Sequence, residues 1–214
     1  TWRKDMAKTE MVFILDKSGS MAGLEDDTIG GFNSMIEKQR AIPGEAIVTT
    51  ILFDSTISRL HDGVNIRNIE PMTSKDYTAG GCTALLDAVG TTISTVHKRQ
   101  KKMEEKPDHT VFVIITDGAE NSSREYSYQE VQKMIRNRRK NSGWEFIFLG
   151  ANIDAIETAG SLGIHKDRAA NYHADRKGTA VNFEAVGSVL CTLRENGAIE
   201  KDWCDEIVKD FEGR

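Results

Sequence analysis

Residues 11–20 read MVFILDKSGS, an unbroken apolar run that passes directly into polar residues. A short apolar run of this kind predicts a strand that is buried on both faces, which is typical of a parallel sheet. In open α/β sheets, ligands bind at the carboxyl ends of the strands, near the point where the strand order reverses. We therefore expect a parallel-sheet fold in which the polar residues from Asp16 onward lie at the ligand-binding edge.

Outward from this stretch, predicted strands and helices alternate along the chain. Further strands are predicted at residues 46–53, 110–115 and 144–149, with a weak one at 169–172. Residues 55–60, followed by Asp62-Gly63, predict an antiparallel edge strand closed by a tight hairpin turn. Apolar residues at helical spacing predict helices over residues 24–40, 85–96, 127–135, 156–162, 183–193 and 203–211.

This order of elements indicates an α/β fold. We expect a doubly wound, mostly parallel central sheet of about six strands, with one antiparallel edge strand and with helices on both faces. The 214 residues fit one domain at residues 10–196, with an N-terminal extension at 1–9 and a C-terminal helical extension at 197–214 packed on the domain.

Composition restricts the partners and the location of the protein. A net charge of -5 argues against nucleic acid as the partner, because phosphate binding usually needs a basic excess. We expect no membrane partner, since no apolar run approaches the length of a membrane span. Three cysteines without a CxxC pair are typical of a reducing compartment, so we expect a cytoplasmic location. We also expect a monomer. The chain starts at Thr1, and a signal peptide that had been removed would leave no trace in it.

Five oxygen-bearing side chains follow strands or begin helices at one edge of the predicted sheet. Asp16, Ser18 and Ser20 alternate in a D-x-S-x-S motif, Thr83 ends the Gly-rich segment 80–83, and Asp117 follows the strand at 110–115. Two carboxylates and three hydroxyls, without His or Cys, favour Mg²⁺, with Mn²⁺ or Ca²⁺ as alternatives. Hydroxyls are weak, neutral ligands and the carboxylates can bind through water, so we expect a cation held here to be undercompensated and to keep an open position for a carboxylate from outside.

The same motifs resemble the metal-ion-dependent adhesion site of von Willebrand factor A domains, particularly of stand-alone bacterial or phage members. The resemblance covers residues 10–172 in element order. It implies that Ser18 and Ser20 contact the cation directly, that Asp16 acts mainly through water, and that Thr83 and Asp117 exchange direct contact as the site opens. It further implies a last helix that moves on ligand binding, here the helix at 183–193 or the segment at 203–211.

Three functions compete for this pattern. The first is a divalent-cation-dependent protein-binding module, not an enzyme, whose cation is completed by an Asp or Glu of a partner protein. The second is a Mg²⁺-dependent, phosphatase-like enzyme with Asp16 as the nucleophile; such enzymes use a second Asp two residues later, where Ser18 stands here. The third is a structural module whose metal only orders loops.

Basic residues cluster at the ends of the second and third predicted helices, opposite the metal site. Complementarity to the helix dipoles explains them most simply, and a second docking patch for an acidic protein surface is the alternative. The residues concerned are Lys98, Arg99, Lys101, Lys102, Arg136, Arg138, Arg139 and Lys140.

Overall fold

A computed structural model describes residues 7–214 of the chain. It contains one six-stranded sheet in the order β3-β2-β1-β4-β5-β6, parallel except for the antiparallel β2–β3 pair. The strands are β1 (Thr9–Asp16), β2 (Ala46–Phe53), β3 (Ile57–Asn65), β4 (His109–Thr116), β5 (Glu145–Gly150) and β6 (Ala169–Asn171). The helices are α1 (Glu25–Arg40), α2 (Leu85–Lys101), α3 (Tyr128–Ser142), α4 (Ala155–Ser161), α5 (Arg176–Asn196) and α6 (Asp205–Glu212).

The predicted fold class is confirmed. Every residue of β1 is buried because the strand lies between β2 and β4 and is covered on both faces. One hydrophobic core lies on the sheet face that α1 and α5 cover, and a second lies on the face that α2, α3 and α4 cover. The strand order reverses between β1 and β4, so the residues that follow these two strands meet at the crevice of the sheet.

The predicted turn at Asp62-Gly63 is wrong, although the antiparallel edge strand is present. The two residues lie inside β3, and the chain turns instead at residues 54–56, where Asp54 Oδ1 accepts from the backbone NH of Thr56 at 2.7 Å. Opposite Asp62-Gly63 the β2–β3 register shifts, and the Gly63 NH donates to Thr49 Oγ1 at 3.0 Å. Gly63 has a φ of 64°, so its conformational freedom serves a β-bulge rather than a hairpin turn.

The C-terminal segment packs on β6 and α5. Trp203 and Ile207 are buried, and Trp203 Nε1 donates to the carbonyl of Asp167 at 2.8 Å. Phe211 stacks on His173 at a centroid distance of 4.7 Å but stays 37% exposed. The division into a domain at 10–196 and an extension at 197–214 stays a prediction, and positions 1–6 of the predicted N-terminal extension lie outside the described residues. Within residues 7–214, no helix is both long enough and apolar enough to cross a bilayer.

Helix α1 contains two adjacent glycines that should respond to alanine with opposite signs. A Cβ at Gly30 meets no atom within 4 Å, whereas a Cβ at Gly31 would lie 2.4 Å from Cδ2 of the buried Phe183 on α5. Gly30→Ala should therefore stabilise the protein by about 0.5–1 kcal/mol through helix propensity. Gly31→Ala should destabilise it by about 1–3 kcal/mol, because the added methyl group would overpack the α1–α5 contact. Urea unfolding of both variants tests the pair, and equal effects would contradict this packing.

Helix α5 begins at an acidic N-cap whose contribution should depend on pH. Asp175 Oδ1 accepts from the backbone NH of Gly178 at 2.7 Å, and Arg214 donates to the same carboxylate. The Arg214 hydrogen bond first, and then the Gly178 NH, hold the pKa of Asp175 below its ordinary value of 3.8. A lowered carboxylate pKa means that the stabilisation is complete above the ordinary pKa and is lost as the pH falls through the folded-state value.

Asp175→Ala is therefore expected to destabilise the protein by about 1 kcal/mol at neutral pH, the usual loss for an N-cap. The difference from wild type should shrink as the pH falls below 3.8. Chemical unfolding across this range measures it. A difference that stays constant into strong acid would show that the carboxylate charge contributes nothing.

Candidate metal centre

Asp16, the last residue of β1, is held from three sides. Its side chain is 1% exposed. Its Oδ1 accepts from the backbone NH of Ser18 at 2.7 Å, and its Oδ2 accepts from Thr116 Oγ1 on β4 at 2.6 Å. The buried Tyr77 hydroxyl donates to the Asp16 carbonyl. These contacts fix both the carboxylate and the backbone at the point where the chain leaves the sheet.

The two motif serines turn toward the residue that follows β4. Ser18 Oγ and Ser20 Oγ lie 3.2 Å apart, and Ser20 Oγ donates to Asp117 Oδ1 at 2.6 Å. Ser18 and Asp117 are buried, with exposed fractions of 2% and 1%. Three of the predicted oxygen donors therefore form one connected group at the carboxyl ends of β1 and β4.

The Gly-rich segment 80–83 is tied to the motif by backbone hydrogen bonds. The Gly80 NH donates to the carbonyl of Lys17 at 2.9 Å, and the Gly19 NH donates to the carbonyl of Gly81 at 3.0 Å. Gly81 has a φ of 74°, and a Cβ on it would lie 2.9 Å from Ser55 Oγ, so this position requires glycine. This path delivers Thr83, which is 4% exposed, to the same edge of the sheet.

Gly118 leaves room between the hydroxyls. A Cβ at this position would lie 3.7 Å from Ser20 Oγ and 3.8 Å from Thr83 Oγ1. Both hydroxyls therefore border the space beside Gly118, directly after Asp117. The structure brings all five predicted residues together: Asp16, Ser18, Ser20, Thr83 and Asp117.

The Asp117 carboxylate is only half satisfied. Its Oδ2 is buried and has no hydrogen-bond partner among residues 7–214, while Oδ1 accepts a hydrogen bond from Ser20 Oγ. Burial raises the pKa of Asp117 above its ordinary value; the charge of Asp16 raises it further, and the Ser20 hydrogen bond partly opposes the rise. Lys17, the lysine inside the motif, pairs with Asp54 instead, at 3.5 Å between Nζ and Oδ2.

This arrangement fits a hard divalent cation. A buried carboxylate oxygen without a partner is an unfavourable group unless a ligand satisfies it. Here it lies with a second carboxylate and three hydroxyls, which is the oxygen-only donor set that Mg²⁺, Mn²⁺ and Ca²⁺ accept.

Three residues that the sequence did not single out position the candidate metal ligands through hydrogen bonds. Thr116 Oγ1 donates a hydrogen bond to the Asp16 carboxylate, as described above. Asn121 brackets Thr83, since its Oδ1 accepts from the Thr83 NH at 2.8 Å and its own NH donates to the Thr83 carbonyl at 3.0 Å. Asn152, with a φ of 56°, donates through Nδ2 to the Asp117 carbonyl at 3.1 Å. The only signal for the two asparagines is their place in the loops that follow β4 and β5.

No protein-family model and no curated protein matches this chain by sequence. Solved structures match its fold. A variant of the PilB minor pilin from Streptococcus sanguinis has a TM-score of 0.66 at 12% identity, with 91% of this chain covered and 64% of the pilin. The vWF domain of the type V pili tip protein Mfa5 from Porphyromonas gingivalis has a TM-score of 0.60 at 11% identity, covering 91% of this chain and 99% of that domain.

A third similar structure contains a metal. Proximal thread matrix protein 1 from the mussel byssus, described with a zinc-occupied MIDAS motif, has a TM-score of 0.59 at 14% identity. The match covers 87% of this chain and 47% of the mussel protein. This chain thus spans about half of the mussel protein and less than two thirds of the pilin. At identities this low, the matches show a shared fold alone.

Proposed function

Because this chain has the von Willebrand factor A fold, we propose that it is a divalent-cation-dependent protein-binding module. Asp16, Ser18, Ser20, Thr83 and Asp117 would hold the cation, with Ser18 and Ser20 as direct ligands and Asp16 acting mainly through water. Thr83 and Asp117 would exchange direct contact as the site opens. An Asp or Glu side chain of the partner protein would complete the shell.

The observation that carries this proposal is the unpartnered Oδ2 of Asp117, buried beside a second carboxylate and the motif hydroxyls. When bound, a divalent cation would supply an electrophilic centre that a carboxylate can reach. Three of the five donors are neutral hydroxyls and Asp16 would act mainly through water, so at most one carboxylate would contact the cation directly and a coordination position would remain for one more anionic ligand. Mg²⁺ is the proposed ion, with Mn²⁺ or Ca²⁺ as alternatives; the zinc in the mussel protein supports a divalent ion of some kind.

The enzyme alternative fits the geometry less well. A nucleophilic Asp16 would have to present a carboxylate oxygen to a substrate, but the residue is 1% exposed and both oxygens accept hydrogen bonds, from the Ser18 NH and from Thr116 Oγ1. The residue two positions later is Ser18, which is a poor general acid. We therefore propose a binding function without catalysis. The monomeric state and the cytoplasmic location stay predictions.

An affinity experiment tests the proposal. The protein is immobilised in Mg²⁺, proteins of its native cell extract are applied, and bound material is eluted with EDTA. The matched column carries Asp117→Asn, which keeps the size of the side chain but removes its charge. We expect a protein that the wild type retains, that EDTA releases and that the variant does not bind. Replacement of one Asp or Glu of that protein by its amide should then abolish retention.

Two outcomes would reject the binding function. Retention that survives EDTA, or that is equal on both columns, would separate partner binding from the metal centre. A protein that Mg²⁺ stabilises against heat but that retains nothing in a metal-dependent way would be the structural module, whose metal only orders loops.

A further inference from the structure

A groove lies between the outward face of α5 and the segment that connects α5 to α6. Its volume is about 420 Å³, within the roughly 300–1,000 Å³ of ligand-binding pockets. Val181, Ala185 and Val189 of α5 line it, and the connecting segment adds Trp203. None of the five residues of the metal centre contributes to its lining. The groove is therefore a separate feature of the surface.

The apolar lining continues directly from the hydrophobic core. Ala185, Val189 and Trp203 are all less than a tenth exposed and belong to the core cluster that α1 and α5 share. Apart from Glu184, the α5 side carries small side chains at helical spacing, from Val181 through Ser188 to Thr192. These twelve residues span roughly 16 Å along the helix axis. Another backbone can thus approach α5 closely over about three turns.

The rim of the groove is acidic. The four carboxylates that line it belong to Glu184, Glu200, Asp202 and Glu206. Within residues 7–214, Glu200 and Asp202 form no ion pair, and no lysine or arginine lines the groove. Glu184 pairs with Lys38 and Glu206 with Lys209. Exposed pairs of this kind are weak, so an incoming cation can replace either lysine.

We propose that this groove binds an amphipathic, Lys- or Arg-bearing helix of a partner protein. Apolar side chains at helical spacing would fill the space over Ala185 and Val189 and against Trp203. Lysine or arginine residues flanking that face would meet the rim carboxylates. A helix laid in an apolar groove is an established mode of peptide recognition, and the acidic rim selects the sign of its charge. An acidic peptide would be repelled, and a second copy of this chain carries a net charge of -5.

The groove and the metal centre should act independently. Occupancy of the groove requires no cation, so binding there should persist in EDTA and in Asp117→Asn. Failure of the metal centre would leave this inference intact, and failure of the groove would leave the proposed function intact.

Selection from a displayed library of random peptides of about 12 residues, the length that matches the groove, tests the proposal. Peptides are selected on the wild type and counter-selected on Ser188→Trp, in which an exposed position on α5 is filled by a large ring. We expect enriched sequences with apolar residues at positions i, i+3 or i+4, and i+7, accompanied by Lys or Arg. Fluorescence anisotropy then gives the Kd of an enriched peptide that carries a fluorescent label.

Matched variants make this result specific. Ser188→Trp, and Glu200→Lys combined with Asp202→Lys, should each raise the Kd at least about tenfold, in line with the loss of a central contact or of a rim charge pair. Lys133→Trp on α3, and Glu104→Lys combined with Glu105→Lys, alter equally exposed positions elsewhere and should leave the Kd unchanged. Thermal unfolding confirms that each variant is folded.

The proposal is overturned if no sequence is enriched over the filled variant, or if the enriched sequences are acidic or uncharged. It is also overturned if EDTA releases the selected peptide. Sedimentation of the protein alone tests whether a second copy of the chain occupies the groove. A wild-type dimer that the Ser188→Trp substitution dissociates would assign the groove to that second copy and overturn the proposal.

Discussion

Asp117→Asn is expected to abolish divalent-cation binding and, in the absence of metal, to raise the melting temperature. The wild-type carboxylate is buried beside Asp16, and its Oδ2 has no hydrogen-bond partner in the described part of the chain, so its charge destabilises the metal-free protein. Asparagine keeps an oxygen that can accept the proton of Ser20 but removes the charge. The affinity for Mg²⁺ should fall by more than the roughly 10–100-fold that is typical when an outer-shell partner of a metal ligand is lost.

Thermal unfolding in EDTA and in Mg²⁺ measures both effects. The wild type should gain stability with Mg²⁺ while the variant shows no gain, because a ligand that binds only the folded state stabilises it. Asp26→Asn removes an exposed carboxylate at the start of α1 and should leave the response to Mg²⁺ unchanged. A variant that is less stable than wild type in EDTA would make Asp117 a structural residue.

Arg99→Ala is expected to destabilise the protein by about 3 kcal/mol, near the lower end of the range for breaking a buried ion pair. Arg99, near the end of α2, pairs with Glu10 of β1, whose side chain is wholly buried. Without the guanidinium, the Glu10 carboxylate keeps only Gln100 Nε2 at 2.8 Å and Thr49 Oγ1 at 3.4 Å. The loss is that of a charge left in the interior with too few donors.

Urea unfolding of Arg99→Ala and of Lys101→Ala, which lies exposed on the same helix end, separates this pairing from the helix dipole. The lysine variant should change the free energy of unfolding by less than about 0.5 kcal/mol. Adding Glu10→Gln to Arg99→Ala should restore part of the loss, since it removes the unpaired charge. Equal losses for the arginine and lysine variants would mean that the dipole, not Glu10, determines the role of Arg99.

Local patterns were sufficient to predict the architecture. The buried run before Asp16 and the alternation of strand-like and helix-like apolar spacing along the chain predicted the sheet type, the edge strand and the six α-helices of residues 7–214. The helix ends carry local signals of the same kind: Ser127 and Glu130 form a capping box at the start of α3, and Gly197 ends α5 in the left-handed conformation. Asp62-Gly63 was the error, because a positive-φ glycine serves a hairpin and a bulge equally well and only the partner strand decides between them.

The grouping of the five candidate residues at one edge of the sheet was also predictable, because their motif spacing and their places after the strands are local features. The residues that hold these side chains in place were not predictable. Tyr77 donates a hydrogen bond to the backbone carbonyl of Asp16, 61 positions away, and Asn121 accepts one from the Thr83 NH, 38 positions away. Likewise, Arg99 was interpreted as a helix-end charge, whereas its partner Glu10 lies 89 positions away. Contacts at such separations depend on the tertiary arrangement and leave no periodic trace in the sequence.

Calorimetric titration of Mg²⁺, and then of Mn²⁺, into the wild type and into Asp117→Asn tests the central claim most directly. If Asp16, Ser18, Ser20, Thr83 and Asp117 form a metal centre, the wild type will bind one cation per chain and the variant will give only the heat of dilution. If the wild type also gives only the heat of dilution, or if both proteins bind the ion equally, the five residues form a hydrogen-bonded turn and the account of a cation-dependent module is contradicted.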